Sequence, residues 1–261
     1  MEADLETARE LQHALLPQHY PRFPSSASLW ASALRFHQFF RSSSGVGGDF
    51  FDVFQLSDSM AGIFICDVTG HGVCAALVAA ILRALVEELR ARATEPAKLL
   101  QALNRGLAHL LKHSRLTMFV SDCYLLAGRT RGQLHYANAG HPAPLCVHRA
   151  RRSAERLPFG ESKPDPVLGI FEDAEYHSWS CELSAGDTLL LFTDGLLEVE
   201  GADAQDYDQP RLQRAVSQRA GLCADELCKR LVDEVEQFAA TKAFADDVCL
   251  IAMEIDHLMK G

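Results

Sequence analysis

No apolar run in this sequence reaches the roughly 20 residues that a membrane-spanning helix needs. The start is crowded by Glu2, Asp4, Glu6 and Glu10, which is not the pattern of a signal peptide. A cytoplasmic protein is the expectation. An excess of basic residues is missing as well: the net charge is −10. That balance argues against nucleic acid or an anionic membrane as the main partner, and it suits a site built from carboxylates that awaits cations. There is no Cys-x-x-Cys, and Cys223 and Cys228 are spaced wrongly for a zinc ribbon. Of the eight cysteines, Cys66, Cys123 and Cys249 lie inside apolar runs, where reduced thiols act as small hydrophobes. The glycines at 45, 47 and 48 are not followed by Gly-Lys-Ser/Thr, which excludes a P-loop. No internal repeat and no break in composition divides the chain.

What is present is ample apolar material, 48 % of 261 residues, enough for one large core. The organising stretch is Ile63-Phe64-Ile65-Cys66-Asp67-Val68-Thr69-Gly70-His71-Gly72. Its apolar run reads as a buried strand that ends in an aspartate, a Gly-His-Gly turn and an Ala/Leu-rich helix. A carboxylate there is costly unless it is paired or binds a metal.

Read from the start, residues 2–16 carry Leu5, Ala8, Leu11, Leu15 and Leu16 at helical spacing, with Pro17 as the stop. This stripe is expected to be buried, either on its own domain or in a dimer or linker helix. A strand is expected near Leu29–Phe36. A turn through Gly48-Asp49 leads into Phe50–Phe54, and a hairpin follows to Met60–Cys66. Helices are expected over 73–93 and from Pro96 to about Lys112. On the latter, His109 and His113 stand one turn apart with no third ligand nearby, so they read as a solvated face. Strands are expected at Met118–Leu126, Leu134–Ala139, Leu145–His148, Glu175–Cys181 and through Leu189–Phe192. Arg149–Pro166 reads as a mobile surface loop. Helices near 211–219 and 224–240 precede a last strand opened by Asp246-Asp247. Connections this short between strands require antiparallel pairing. The fold class is therefore α+β, a sandwich of two mainly antiparallel sheets flanked by helix layers.

Asp49, Asp67, Asp194 and Asp246 share one context: each marks the start or end of an apolar strand, beside a glycine or a second acid. Four carboxylates cannot share a small volume without cations. All-oxygen ligands favour Mg²⁺ or Mn²⁺, and two such ions can activate a bridging water against a phosphoryl group. The plain alternative is that each is a turn residue or helix cap. Asp52 and Asp247 are placed to hydrogen-bond a metal-bound water. His71 is a candidate proton donor to a leaving oxygen, set against a plain role in holding the helix start.

Five segments occur in order: Gly47-Gly48-Asp49-Phe50-Phe51-Asp52, Asp67-Val68-Thr69-Gly70-His71-Gly72, Asn138-Ala139-Gly140-His141-Pro142, Gly186-Asp187-Thr188-Leu189 with Thr193-Asp194-Gly195, and Asp246-Asp247. Together they resemble the SpoIIE/RsbU-like branch of the PPM (type 2C) metal-dependent protein serine/threonine phosphatases. Ala8–Pro17 resembles that branch's leader. The resemblance implies a leader or linker helix over residues 1–17 and a PPM-type catalytic domain over 18–261. It implies two Mn²⁺ or Mg²⁺ ions per site, with Asp67 bridging both and the Val68 carbonyl as a further ligand. Asp49 would hold one ion, and Asp194 and Asp246 the other. The implied substrate is a phosphoserine or phosphothreonine, often on an anti-sigma-factor antagonist (STAS) protein, with an upstream sensor or receiver module as partner and a possible homodimer through the first helix. One departure is Cys249, where the branch usually has Thr or Ser; the expected consequence is altered strand packing. Two other readings compete. One is a catalytically silent PPM-fold regulatory module, against which the complete set of aspartates counts. The other is a GHKL-type ATPase or kinase, suggested by Asp67-x-x-Gly-x-Gly, but that box should follow an Asn-bearing helix and here it follows two strands.

Overall fold

In the computed structural model, which describes residues 2–28, 31–43, 45–112, 118–128, 132–160, 164–202, 204–241 and 244–258, the apolar runs become the middle strands of two sheets. Among the described residues the first sheet is ordered β1 (Leu34–Arg41), β10 (Val248–Ile255), β9 (Thr188–Phe192), β6 (Leu145–His148) and β7 (Ser153–Arg156), numbered in chain order. The second is ordered β2 (Phe50–Ser57), β3 (Met60–Val68), β4 (Val120–Gly128), β5 (Gln133–Ala139) and β8 (Trp179–Glu182). Every neighbouring pair is antiparallel. Helices α2 (Val73–Leu89) and α3 (Pro96–Leu111) lie on the second sheet, and α4 (Gln209–Gln218) and α5 (Ala224–Phe238) on the first. The helix–sheet–sheet–helix sandwich is the expected architecture.

Strand periodicity explains why β9 and β10 read as unbroken apolar runs. Leu189, Leu191, Cys249, Ile251 and Met253 face the core shared by the two sheets. Their neighbours Leu190, Phe192, Val248, Leu250 and Ala252 point the other way, under α4 and α5. Successive side chains alternate between faces, and here both faces are covered.

Three expectations are corrected. The first strand starts at Leu34, later than expected: the Ser32 hydroxyl accepts from the Phe23 N–H and donates to the Leu34 carbonyl, which ties the backbone just before the strand to Phe23. The 149–166 segment is not simply a mobile loop. Ser153–Arg156 pairs with β6 as an edge strand, and Ser217 and Gln213 of α4 hydrogen-bond the Ala154 backbone. Third, of the alternatives for α1 (Glu2–Leu15), packing of the leucine stripe on its own domain is largely absent: Leu5, Leu11 and Leu15 are exposed, whereas Gln12 and, just past the helix, Leu16 are buried. His113 falls outside the described residues, as do residues 29 and 30.

One polar side chain in the core is out of place. Asp122 of β4 is 0 % exposed opposite Cys66, and neither carboxylate oxygen has a hydrogen-bond partner. Burial holds its carboxyl well above the ordinary range, so the fold favours the neutral form. In the unfolded chain an aspartate ionises near pH ~3.9. Stability is therefore lost as pH rises above that value, because the unfolded state releases its proton first. Asp122→Leu is expected to stabilise the protein by about 1–3 kcal/mol near neutral pH, with the gain shrinking toward pH ~4. Denaturant titrations at acidic and mildly alkaline pH test this, and a variant no more stable than wild type at the higher pH would refute it.

Candidate metal centre

Antiparallel order places the start of one strand beside the end of its neighbour. Asp49 immediately precedes β2 and Asp67 lies at the end of β3, so both stand at one edge of the second sheet. Asp194 follows β9 in a 3-10 turn, and Asp246 comes two residues before β10, at one edge of the first sheet. The electrostatics show that these edges meet. The Asp49 carboxyl, fully buried, is driven well above its ordinary range by burial and then by repulsion from Asp67, Asp247 and Asp194. Burial, followed by repulsion from Asp194, Asp246, Asp247 and Glu198, raises Asp67 to about 7. Burial and then Asp246 raise Asp194. The structure thus gathers the four aspartates around one volume, with Asp67 and Asp194 repelling Asp49, and Asp246 repelling Asp67 and Asp194. Among the described residues, no three of these carboxylates bring oxygens within 4.8 Å of one another. The acids are therefore close enough to repel but are not drawn into a closed ligand shell. Hard oxygen donors and mutual repulsion suit divalent cations of the Mg²⁺ or Mn²⁺ kind.

The backbone around the acids is held by close approaches that only glycine permits. A Cβ on Gly48 would stand 2.6 Å from the Val68 carbonyl oxygen, and one on Gly47 would stand 1.7 Å from the Asp247 carboxylate. A Cβ on Gly195 would stand 1.9 Å from the Asp247 carbonyl oxygen. Asp247 itself accepts from the backbone N–H of Ser43 at 2.7 Å and of Gly48 at 2.8 Å. It is a clamp on the loop that carries Asp49, a more direct role than bonding a bound water.

Asp52 does not join the centre. Alternation along β2 turns it away, and its carboxylate lies 3.7 Å from Arg83 of α2 and accepts from the Val53 N–H. His71 is solvent-exposed in the turn before α2, and Val68 is fully buried. In the Asn138–Pro142 segment, the Asn138 side chain brackets the turn by bonding both the N–H and the carbonyl of His141, and the His141 ring bonds Ser121. This segment is scaffold.

Three residues escaped the sequence reading. The Thr193 hydroxyl donates to Asp49 Oδ2 at 2.7 Å and accepts from the Cys249 N–H at 2.9 Å, which joins the two sheets beneath the acids. A lone threonine between an apolar strand and an aspartate is its only signal. Gln12 of α1 donates to the Gly47 carbonyl at 2.6 Å and accepts from the Gly47 N–H at 3.0 Å. Glu198, exposed beyond the 3-10 turn, adds charge facing Asp194 and Asp246. Cys249 is fully buried between the sheets, in keeping with a packing role.

Comparison with known proteins follows the same lines. The sequence profile of the family described as Stage II sporulation protein E (SpoIIE) matches residues 57–256. Phosphoserine phosphatase RsbU of Bacillus subtilis (strain 168) is 26 % identical over 235 residues, covering 90 % of this chain and 65 % of that protein. Phosphoserine phosphatase RsbP of Bacillus subtilis (strain 168) is 28 % identical over 196 residues, covering 75 % of this chain and 45 % of that protein. The chain thus spans less than two thirds of either relative. Among solved structures, the SiaA-PP2C domain of Pseudomonas aeruginosa superposes with a TM-score of 0.82 at 22 % identity, covering 98 % of this chain and 97 % of that one. At that identity the likeness shows the fold.

Proposed function

This chain belongs to the SpoIIE family, and from that premise we propose that it is a metal-dependent protein serine/threonine phosphatase. The observation that carries the reading is the set of four aspartates from two sheets, raised or repelling around one volume. Two Mn²⁺ or Mg²⁺ ions would be held by Asp67, common to both, by Asp49 on one and by Asp194 and Asp246 on the other, with the Val68 carbonyl as a further ligand. Bound there, the ions lower the pKa of a shared water and neutralise charge on the phosphoryl oxygens. The chain's own part is positional. Thr193 fixes one oxygen of Asp49, and Asp247 and Gln12 fix the loop before it. Pre-set ligands of this kind cost no reorganisation when charge develops.

The substrate class is a phosphoserine or phosphothreonine, on a STAS-type anti-sigma-factor antagonist in a partner-switching pathway. Residues 1–17 form a leader that receives a signal from an upstream sensor or receiver module, and 18–261 form the catalytic domain. The protein acts in the cytoplasm; among the described residues no helix is long and apolar enough to cross a membrane. The deciding experiment is phosphate release from a phosphorylated STAS protein with Mn²⁺, with Mg²⁺ and with chelator. Metal-dependent release supports the reading. No release with either metal, from that protein or from p-nitrophenyl phosphate, overturns it in favour of the silent module.

His71 tests how much proton transfer the side chains supply. It is exposed in a turn, so His71→Ala is expected to lower turnover by less than about tenfold, whereas a general acid contributes roughly 10²–10⁴-fold. A loss in that higher range, with metal affinity unchanged, would make His71 the proton donor.

A further inference from the structure

The far end of β9 carries a second group of metal-ligand side chains. Cys146 and His148 are two residues apart on β6, so strand alternation puts both on one face. Asp187 immediately precedes β9, which pairs with β6. His148 Nδ1 lies 3.2 Å from Asp187 Oδ2 and 3.8 Å from Cys146 Sγ. Among the described residues this is the one trio of Cys, His, Asp or Glu whose ligand atoms all fall within 4.8 Å of one another.

From this geometry we propose that Cys146, His148 and Asp187 form a binding site for a borderline-soft divalent cation of the Zn²⁺ class, separate from the acidic centre. The distances are those a tetrahedral ion imposes. With Zn–N and Zn–O of about 2.0–2.1 Å and Zn–S of about 2.3 Å, ligand atoms stand roughly 3.3 Å apart for N···O and roughly 3.6 Å for N···S. The observed pair of distances matches without rearrangement. A thiolate, an imidazole and one carboxylate select zinc over magnesium or calcium. Three protein ligands leave a fourth position for water or a further donor. Asp187 and Asp194 are seven positions apart in the sequence, roughly 20 Å along a strand, so the two centres do not share ligands.

The surroundings support the assignment. Asp187 is nearly buried and its Oδ2 also accepts from the Ser184 N–H at 2.9 Å, which orients the carboxylate as outer hydrogen bonds do at metal sites. Burial pushes the Cys146 thiol up to about 12, so without a cation the site holds a neutral thiol and a His148–Asp187 hydrogen bond. Binding would release the thiol proton and replace the His148–Asp187 hydrogen bond with bonds to the cation. The ion would pin β6, and with it the β6–β7 edge hairpin, to the start of β9.

Cobalt(II) is the probe, because only a thiolate ligand gives a sulfur-to-cobalt charge-transfer band and the ligands proposed at the acidic centre are all oxygens. Co²⁺ titrated into the full chain, after chelator treatment and dialysis, is expected to produce that band at one equivalent. Asp194→Asn should keep it, Cys146→Ser should lose it, and Zn²⁺ should compete it away. His148→Gln leaves the thiol in place and guards against a misfolded serine variant; it is expected to bind Co²⁺ at this site at least about tenfold more weakly. A wild-type protein with no such band, a band that persists in Cys146→Ser, or undiminished affinity in His148→Gln would each overturn the site.

Discussion

Asp67→Asn and Asp194→Asn are each expected to bring Mn²⁺-dependent phosphate release to background while secondary structure and hydrodynamic size stay those of wild type. The change is isosteric, and what it removes is charge. Asp67 faces Asp194, Asp246, Asp247 and Glu198, so its own charge is opposed by acids from both sheets. Loss of a hydrogen-bond partner outside a metal's ligand shell costs roughly 10–100-fold, and loss of a charged ligand costs more. The fold has no need of that charge. Without cations, each carboxylate of the set raises the cost of ionising the next, as the upward shifts of Asp49, Asp67 and Asp194 show. Either variant in chelator at pH ~8 is therefore expected to unfold at the same or a higher denaturant concentration than wild type, because one repelling charge has gone. The two readouts separate causes: inactivity together with destabilisation in chelator would point to a structural role. Turnover close to wild type in either variant would remove the two-metal assignment.

The acids were legible because their signal is local. A buried strand that ends in Asp-Val-Thr-Gly or Thr-Asp-Gly breaks the apolar pattern with a costly group, and four repetitions of that context are hard to assign to turns alone. The two-sheet architecture was legible for a related reason: β9 and β10 are buried on both faces, so nothing polar interrupts them. What the sequence hid depends on contacts across the fold. Asp52 stands three residues after Asp49 and Asp247 directly after Asp246, yet one pairs with Arg83 and the other holds the backbone N–H groups of Ser43 and Gly48. Alternation along β2 decides the first, and a contact spanning about 200 residues decides the second. The short strand β7 was hidden by its polar Ser-Ala-Glu-Arg sequence, in which only Ala154 is buried. Helical periodicity identified α1 but not Gln12 as its contact with the domain, because the leucine stripe says nothing of which polar side chain is buried.

That amide carries the remaining prediction. Gln12 is the side chain through which α1 grips the loop before Asp49, donating to the Gly47 carbonyl and accepting from the Gly47 N–H. Gly47 is pressed against the Asp247 carboxylate so closely that no side chain fits between them. A shift of α1 therefore moves Gly47 against Asp247, and with it the backbone entering Asp49. On the outside of the same helix, Leu11 is 65 % exposed, and Val73 and Leu77 of α2 nearby are 53 % and 61 % exposed. An apolar face that water covers in one state and a partner covers in another supplies the difference in packing energy that a switch requires. The proposed upstream module, or a second copy of this chain, would act there. Gln12→Ala leaves the Gly47 amide and carbonyl without partners, a loss of about 1–3 kcal/mol. If that energy holds the loop in its ligand-ready position, the apparent Mn²⁺ requirement for phosphate release rises by roughly 5–150-fold. Leu11→Glu acts on the outer face, and it is expected to change oligomeric state by light scattering or to shift the same Mn²⁺ titration. A Gln12→Ala variant with a wild-type Mn²⁺ requirement would show that α1 does not set the position of Asp49. If Leu11→Glu were also silent in both measurements, the leader would be a passive linker.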